Sequence, residues 1–243
     1  MQDRYTGDVG DFGKLGLLRC IAAQGLRIGV NWCFVQDEVG NGDGRHIGYL
    51  NNVKFCNCDD VLLGELRTII SENDRRVARL ESADLIPGAL YYRTPLQSPR
   101  AQDFDRQKWH SDALRTLAGA DIVFLDPDNG LQVKSVSMGS AKSKKYVTAQ
   151  ELADYYASGK SVIFYNHRCR QQECEYMKRF DDLQSMPEFH DAMWQGVKFC
   201  RGTTRDYIMI LQPEHQAQTA KAVNELLVGP WSRHFVALSF NNL

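Results

Sequence analysis

The residues best placed to do chemistry stand in one row, Asp126-Pro127-Asp128-Asn129-Gly130-Leu131, directly after the apolar run Asp121 to Leu125 (DIVFL). Such a run reads as a strand buried on both faces, and the strand backbone fixes the position of a carboxylate at its carboxyl end. Asp126 can there accept a hydrogen bond from a substrate amino group, act as a base or bind a metal. Pro127 stiffens the turn, and Asn129-Gly130 tolerates positive φ. The competing reading is an Asp-Pro turn that merely ends a strand. Ligands in open parallel sheets bind outside the carboxyl ends of the strands, so the functional reading is preferred.

Three more segments belong to the same argument. After Ile28 to Val35 (IGVNWCFV), the loop Gln36 to Arg45 carries alternating Gly40, Gly42 and Gly44 among Asp37, Glu38 and Asp43. Its glycines let a backbone approach a ligand, and its acids suit a ribose or a cationic amino group better than a pyrophosphate; an exposed acidic turn is the plain alternative. Asn166-His167-Arg168-Cys169-Arg170 follows another apolar run and, with Lys142, Lys144 and Lys145, makes a basic surface suited to phosphates. For any one of these lysines, solvated loop charge is the simpler reading. Asp3 to Lys14 (DRYTGDVGDFGK) is rich in glycine and acid yet holds Tyr5 and Phe12, odd company for a frayed end. It is expected to fold over the site, or else to serve as a cap in which Asp11 starts a helix near Lys14.

The elements that must position these residues alternate. Helical patterns cover Lys14 to Ala23, Asp60 to Ile70, Asp105 to Leu117, Arg170 to Asp182 and about Glu214 to Leu227, and another begins at Thr148, where Glu151 completes a capping box. Strand-like runs cover Ile28 to Val35, Leu90 to Thr94, Asp121 to Leu125, Ser161 to Tyr165, Tyr207 to Leu211 and Phe235 to Phe240. The alternation predicts one α/β domain over residues 1–243, with a mainly parallel central sheet and helices on both faces, in a Rossmann-like arrangement.

Composition limits the function classes. At 43% hydrophobic and 24% charged residues, the chain is ordinary for a globular domain, which excludes a disordered one. A formal net charge of -1 excludes a global basic field, so contact with nucleic acid would need a local basic surface. No run reaches the roughly 18 apolar residues of a membrane span. Met1 to Asp11 lacks the apolar stretch of a signal peptide, and seven scattered cysteines read as reduced thiols, so a cytoplasmic location is expected. Neither Cys56-x-Cys58 nor Cys169-x4-Cys174 has the usual zinc spacing, and no metal site is assigned.

Gly10-Asp11-Phe12-Gly13-Lys14, the acidic glycine loop and Asp126-Pro127 together resemble Rossmann-type S-adenosylmethionine-dependent methyltransferases, in particular the ribosomal-RNA adenine-N6 methyltransferases. Tyr207–Leu211 and Phe235–Phe240 look like the hairpin-like end of that fold. The resemblance implies S-adenosylmethionine as cofactor and an amino group of RNA or DNA as acceptor. It implies that Asp126 accepts the target amine's hydrogen bond and that Pro127 is the proline following it. Asp37, Gly40 and Gly42 match the cofactor loop, with Lys14 near the cofactor. Asp128-Asn129 stands where that family has proline and an aromatic ring that stacks on a flipped base, so adenine-N6 chemistry requires Tyr5 or Tyr165 to supply the ring; a relative with another substrate, or one that has lost activity, fits the residues equally well.

Two rival readings remain. Asp126-Pro127-Asp128-Asn129-Gly130-Leu131 is similar to the opening motif of haloacid dehalogenase-like phosphatases, which implies Asp126 as nucleophile, Asp128 as acid/base and magnesium as cofactor; a nuclease using Asp8 or Asp11 with the same pair is a looser version. The third reading is a non-enzymatic nucleic-acid-binding protein whose basic loops, with His167, Arg168, Arg170, Lys144 and Lys145, do the binding.

Overall fold

A computed structural model describes residues 1–37, 44–168 and 172–240. Its strands are β1 (Ile28–Asn31), β2 (Leu90–Tyr92), β3 (Ile122–Leu125), β4 (Gly130–Leu131), β5 (Tyr146–Val147), β6 (Ser161–His167), β7 (Met193–Arg201), β8 (Thr203–Leu211) and β9 (Phe235–Leu238). Its α-helices are α1 (Val9–Ala22), α2 (Val53–Cys56), α3 (Asp60–Ser71), α4 (Val77–Ser82), α5 (Arg106–Thr116), α6 (Ala149–Ala157), α7 (Glu173–Met177), α8 (Asp181–Gln184) and α9 (Gln216–Val228).

Seven strands form one sheet in the order β2-β1-β3-β6-β8-β7-β9, and β4 pairs with β5 beside it. The pairings β1–β2, β1–β3 and β3–β6 are parallel, whereas β6–β8, β8–β7 and β7–β9 are antiparallel. The sheet is therefore mixed, and the expected parallel order holds in one half. The cause is β7, which sequence patterning overlooked. Its residues MWQGVKFCR mix polar and apolar side chains, and it turns back into β8 at Gly202, whose φ is +67°. Consequently β8 pairs with β6 and β7, while β9 lies on the far side of β7. The hairpin-like pairing expected for Tyr207–Leu211 and Phe235–Phe240 does not form.

Alternation along β3 divides the interior. Ile122 and Phe124 pack with α1, α3, α4 and α9 on one face; Val123 and Leu125 pack with α5, α6, Tyr176 and Leu183 on the other. The predicted helix over Arg170 to Asp182 breaks within its described part into α7, a tighter turn at Lys178–Phe180 and α8, where Tyr176 and Phe180 both enter the core. Among the described residues, no helix is long and apolar enough to cross a membrane.

Helix α1 carries Asp11 and Lys14, both buried. It starts at Val9, well before Lys14, because Asp8 and not Asp11 is the cap: the Asp8 carboxylate accepts from the amides of Gly10 at 2.7 Å and Asp11 at 3.1 Å. Glycines at positions 13 and 16 let this buried helix lie close to the layers around it. A Cβ on Gly13 would come within 2.8 Å of the Phe199 ring, and one on Gly16 within 2.4 Å of the Trp231 ring. A glycine inside a helix costs about 1 kcal/mol relative to alanine, which the close approach offsets.

Candidate functional site

Strand order reverses between β1 and β3, since β1 is flanked by β2 on one side and β3 on the other, and a crevice is expected at their carboxyl ends. The amino-terminal segment fills it, as the sequence suggested. The Met1 amine donates to the carbonyls of Trp32 at 3.1 Å and Asp126 at 2.7 Å, and pairs with Asp128 Oδ1 at 3.0 Å. The Met1 carbonyl accepts from the Val35 amide at 2.9 Å. Gln2 Nε2 donates to Asp128 Oδ2 at 2.5 Å, and the Arg4 amide to Asp37 at 3.2 Å. The open space is thereby displaced towards β6 and β8. It is a cleft of about 260 Å³ between the first turns of α1, the turn after β3, the end of β6 and the start of β8.

Its floor is a buried charge cluster. Lys14 Nζ lies 2.7 Å from Asp11 Oδ1 and 2.5 Å from Asp126 Oδ2, and 5.1 Å from the centre of the Trp32 ring. Side-chain exposure is 5% for Lys14, 2% for Asp11 and 9% for Asp126, so water does little to screen the trio. Burial works against the Lys14 ammonium, but Asp11 and Asp126 outweigh it and hold its pKa above the ordinary lysine value. Burial pushes Asp11 up to about 6, with the Lys14 charge pulling the other way. For Asp128 burial also pulls upward, yet the Met1 ammonium, the Gln2 amide and Lys145 win and keep it below the usual carboxylate range.

These shifts have opposite consequences for stability. Asp11 has a folded pKa above its unfolded value, so its contribution is full at low pH and is lost as pH rises through about 6. Asp128 contributes above its unfolded pKa and loses that contribution as pH falls. Comparing wild type with Asp11→Asn by urea unfolding isolates the first effect. The wild-type advantage is expected to shrink between about pH 4 and pH 6.5, by up to about 3 kcal/mol. A difference that is flat across this window would show that Asp11 titrates normally.

Of the residues picked out from sequence, Tyr5, Lys14, Asp126, Pro127, Asp128, Asn129, Lys145 and His167 line this one cleft, and Tyr165 joins them. Others do not. Asp37 is exposed beside Arg4 and lies off the cleft. Gly40, Gly42 and Arg170, like most of the acidic glycine loop, lie outside the described residues. Arg168 is turned aside: it bonds Asp206 at 3.0 Å and Glu173 at 2.8 Å, and stacks 4.6 Å from the centre of the Tyr176 ring. The Asp206 side chain, at 0% exposure, needs a cation, and Arg168 is spent on it. Lys144 is half-buried in the turn Ala141–Lys145, off the cleft, and Lys142 is exposed. The single basic surface expected from sequence is thus divided, and Lys145 and His167 are its members at the cleft.

Sequence reading missed Arg205 and Tyr207 as cleft residues. Arg205 donates to the carbonyls of Arg201 at 3.0 Å and Thr203 at 3.1 Å, and pairs with Asp8 at 3.3 Å. The signal was available. Extending the apolar run at Tyr207 backwards by two residues puts Arg205 on the same face of β8 as Tyr207.

The turn itself is clamped by β6. Asn166 Oδ1 accepts from the Leu131 amide at 2.9 Å, and Asn166 Nδ2 donates to the Tyr176 hydroxyl at 2.6 Å. Gly130 sits above it at φ +99°, where an added Cβ would come within 2.7 Å of the Asn166 Cα. Gly130→Ala combines left-handed strain with overpacking, and is expected to cost about 1–3 kcal/mol in urea unfolding. An unchanged midpoint would mean the clamp does not constrain the turn.

No protein-family model matches the chain, and no curated protein matches it. Among the described residues, no three His, Cys, Asp or Glu side chains gather as ligands for a metal ion. The Lys14 ammonium instead occupies the position between Asp11 and Asp126. The arrangement offers a strand-end carboxylate with one oxygen held by a lysine, and in the same lining the tyrosines Tyr5, Tyr165 and Tyr207 with His167 and Arg205.

Proposed function

We propose that the protein is a Rossmann-like S-adenosylmethionine-dependent methyltransferase acting on an amino group of a nucleotide base. One observation carries the reading: the Asp126–Asn129 turn, Tyr5 and Tyr165 line the same cleft. The turn lacks an aromatic residue of its own after Asp126-Pro127, and Tyr5 and Tyr165 contribute rings to the same cleft from other elements. Asp126 has Oδ2 on Lys14 and no hydrogen-bond partner among the described residues at Oδ1, which leaves that oxygen to accept from an amine. Catalysis of this kind is mainly positioning, with the nucleophilic nitrogen held in line.

The lining suits the cofactor. A sulfonium cation is favoured over aromatic faces, and the tyrosines Tyr5, Tyr165 and Tyr207 line the cleft. The cofactor supplies an electrophilic methyl group; the chain's own residues hold the amine, exclude water and set its direction. The rival phosphohydrolase reading draws on Asp126 and Asp128 lying on one cleft. Against it, ammonium groups already pair with both carboxylates.

Calorimetric titration tests the proposal, with S-adenosylmethionine and magnesium as separate titrants. Saturable one-site binding of the cofactor in the micromolar range, about -8 kcal/mol, is expected. No cofactor binding up to millimolar concentration overturns the reading, and magnesium binding in its place would bring the phosphohydrolase forward.

A further inference from the structure

The cleft is chemically graded across the sheet edge. At β3 it begins with Asp126. On β6 and β8 come Tyr165 and Tyr207, a cross-strand pair whose ring centres lie 6.4 Å apart. The next pair outward on the same face, two residues on, is His167 with Arg205. Adjacent strands are spaced by about 4.8 Å, so β3 and β8, with β6 between them, are separated by roughly 10 Å. The aromatic and cationic pairs are two residues apart along the same strands, roughly 6.6 Å, so an acceptor for an amine, an aromatic middle and a cationic end fall within the extent of a single nucleotide, matching exocyclic amine, base and sugar, phosphate.

The cationic end is built in advance. Arg205 Nη1 is held by the carbonyls of Arg201 and Thr203 and Nη2 by Asp8, which leaves Nε without a partner among the described residues, so little side-chain freedom is lost when an anion arrives at that donor. Gly10 makes the fit possible, since a Cβ there would meet Arg205 Nε at 2.5 Å. Lys145 joins from the β3 side: its carbonyl accepts from the Asn129 amide at 2.9 Å, and the Asn129 carbonyl accepts from the His167 amide at 3.3 Å.

We infer that the cleft binds one nucleotide unit with its phosphate at Arg205, His167 and Lys145 and its base amine at Asp126. The inference deepens the methyltransferase reading and rests on it for the reacting amine; the phosphate end stands on the register and the lining. The unit can be a free mononucleotide or one residue of a single strand, since the chemistry is shared.

The test titrates the full chain with adenosine, adenosine 5′-monophosphate, inorganic phosphate and a single-stranded octa-adenylate. The monophosphate is expected to bind at least tenfold more tightly than adenosine. Lys145→Ala and His167→Gln, both at partly or fully exposed positions, are expected to remove most of that advantage and leave adenosine unchanged. Octa-adenylate binding far above the monophosphate assigns the strand as the source, and no gain assigns the free nucleotide; either accords with the phosphate site. Equal binding of adenosine and its monophosphate, no binding of either, or an advantage that survives both variants overturns the inference. S-adenosylmethionine is titrated separately. A phosphate preference without cofactor binding would overturn the methyltransferase reading and leave this site standing.

Discussion

Lys14→Ala is expected to be the most destabilising single change in the cleft, costing about 3–5 kcal/mol at neutral pH. Lys14 is the shared partner of Asp11 and Asp126, and both carboxylates are buried. Removing the ammonium leaves two buried acids facing each other without a cation. Asp11, already pushed up to about 6 by burial, would then take up a proton. That relieves part of the repulsion but leaves Asp126 uncompensated. Domains of this size lose about 2–4 °C of Tm per kcal/mol, so a drop of roughly 6–20 °C should appear in thermal unfolding. Lys14→Met combined with Asp126→Asn removes both charges of the pair and should recover much of the loss. A loss below about 1 kcal/mol for Lys14→Ala would mean that the trio is hydrated and that its energetics resemble a surface ion pair.

Asp126→Asn should have the larger effect on function. The shapes match, and Lys14 retains Asp11, so the fold should be kept. The amide no longer offers an anionic acceptor to an incoming amine. On the methyltransferase reading, methyl transfer to the nucleotide should fall by about a hundred- to ten-thousandfold while cofactor affinity changes little. The measurement is single-turnover transfer alongside calorimetry of the cofactor. Transfer that survives the substitution would remove Asp126 from the chemistry. If the chain instead binds nucleic acid without any transfer, and Asp126→Asn leaves that binding intact, the site belongs to a binding protein.

Much of the framework was legible because it is written locally. DIVFL and SVIFY read as buried strands from their apolar continuity, and the structure places Ile122–Leu125 and Ser161–His167 there. Thr148 and Glu151 announced a capping box, and both bonds are present, at 3.1 Å and 2.9 Å. The turn at Asp126 and its position past a central strand followed from the same local signs. β7 was hidden because its polar residues break the apolar run, and half-buried strands near a sheet edge need no continuous one.

By itself the sequence determined the periods, the caps and the turns, because these depend on neighbours a few residues apart. It thereby placed Asp126 and His167 at the carboxyl ends of strands. The tertiary structure decided which residues meet. Lys14 and Asp126 are 112 residues apart in the chain, and their ion pair exists because α1 packs across the edge of β3. Arg168, as basic in sequence as Lys145, was withdrawn from the cleft by the buried carboxylate of Asp206, and Arg205 was brought in by the pairing of β8 with β6. A buried charge must find a counter-charge wherever the fold supplies one, and strand partners are chosen by the whole sheet; a local pattern carries the period of an element but not the identity of its partner.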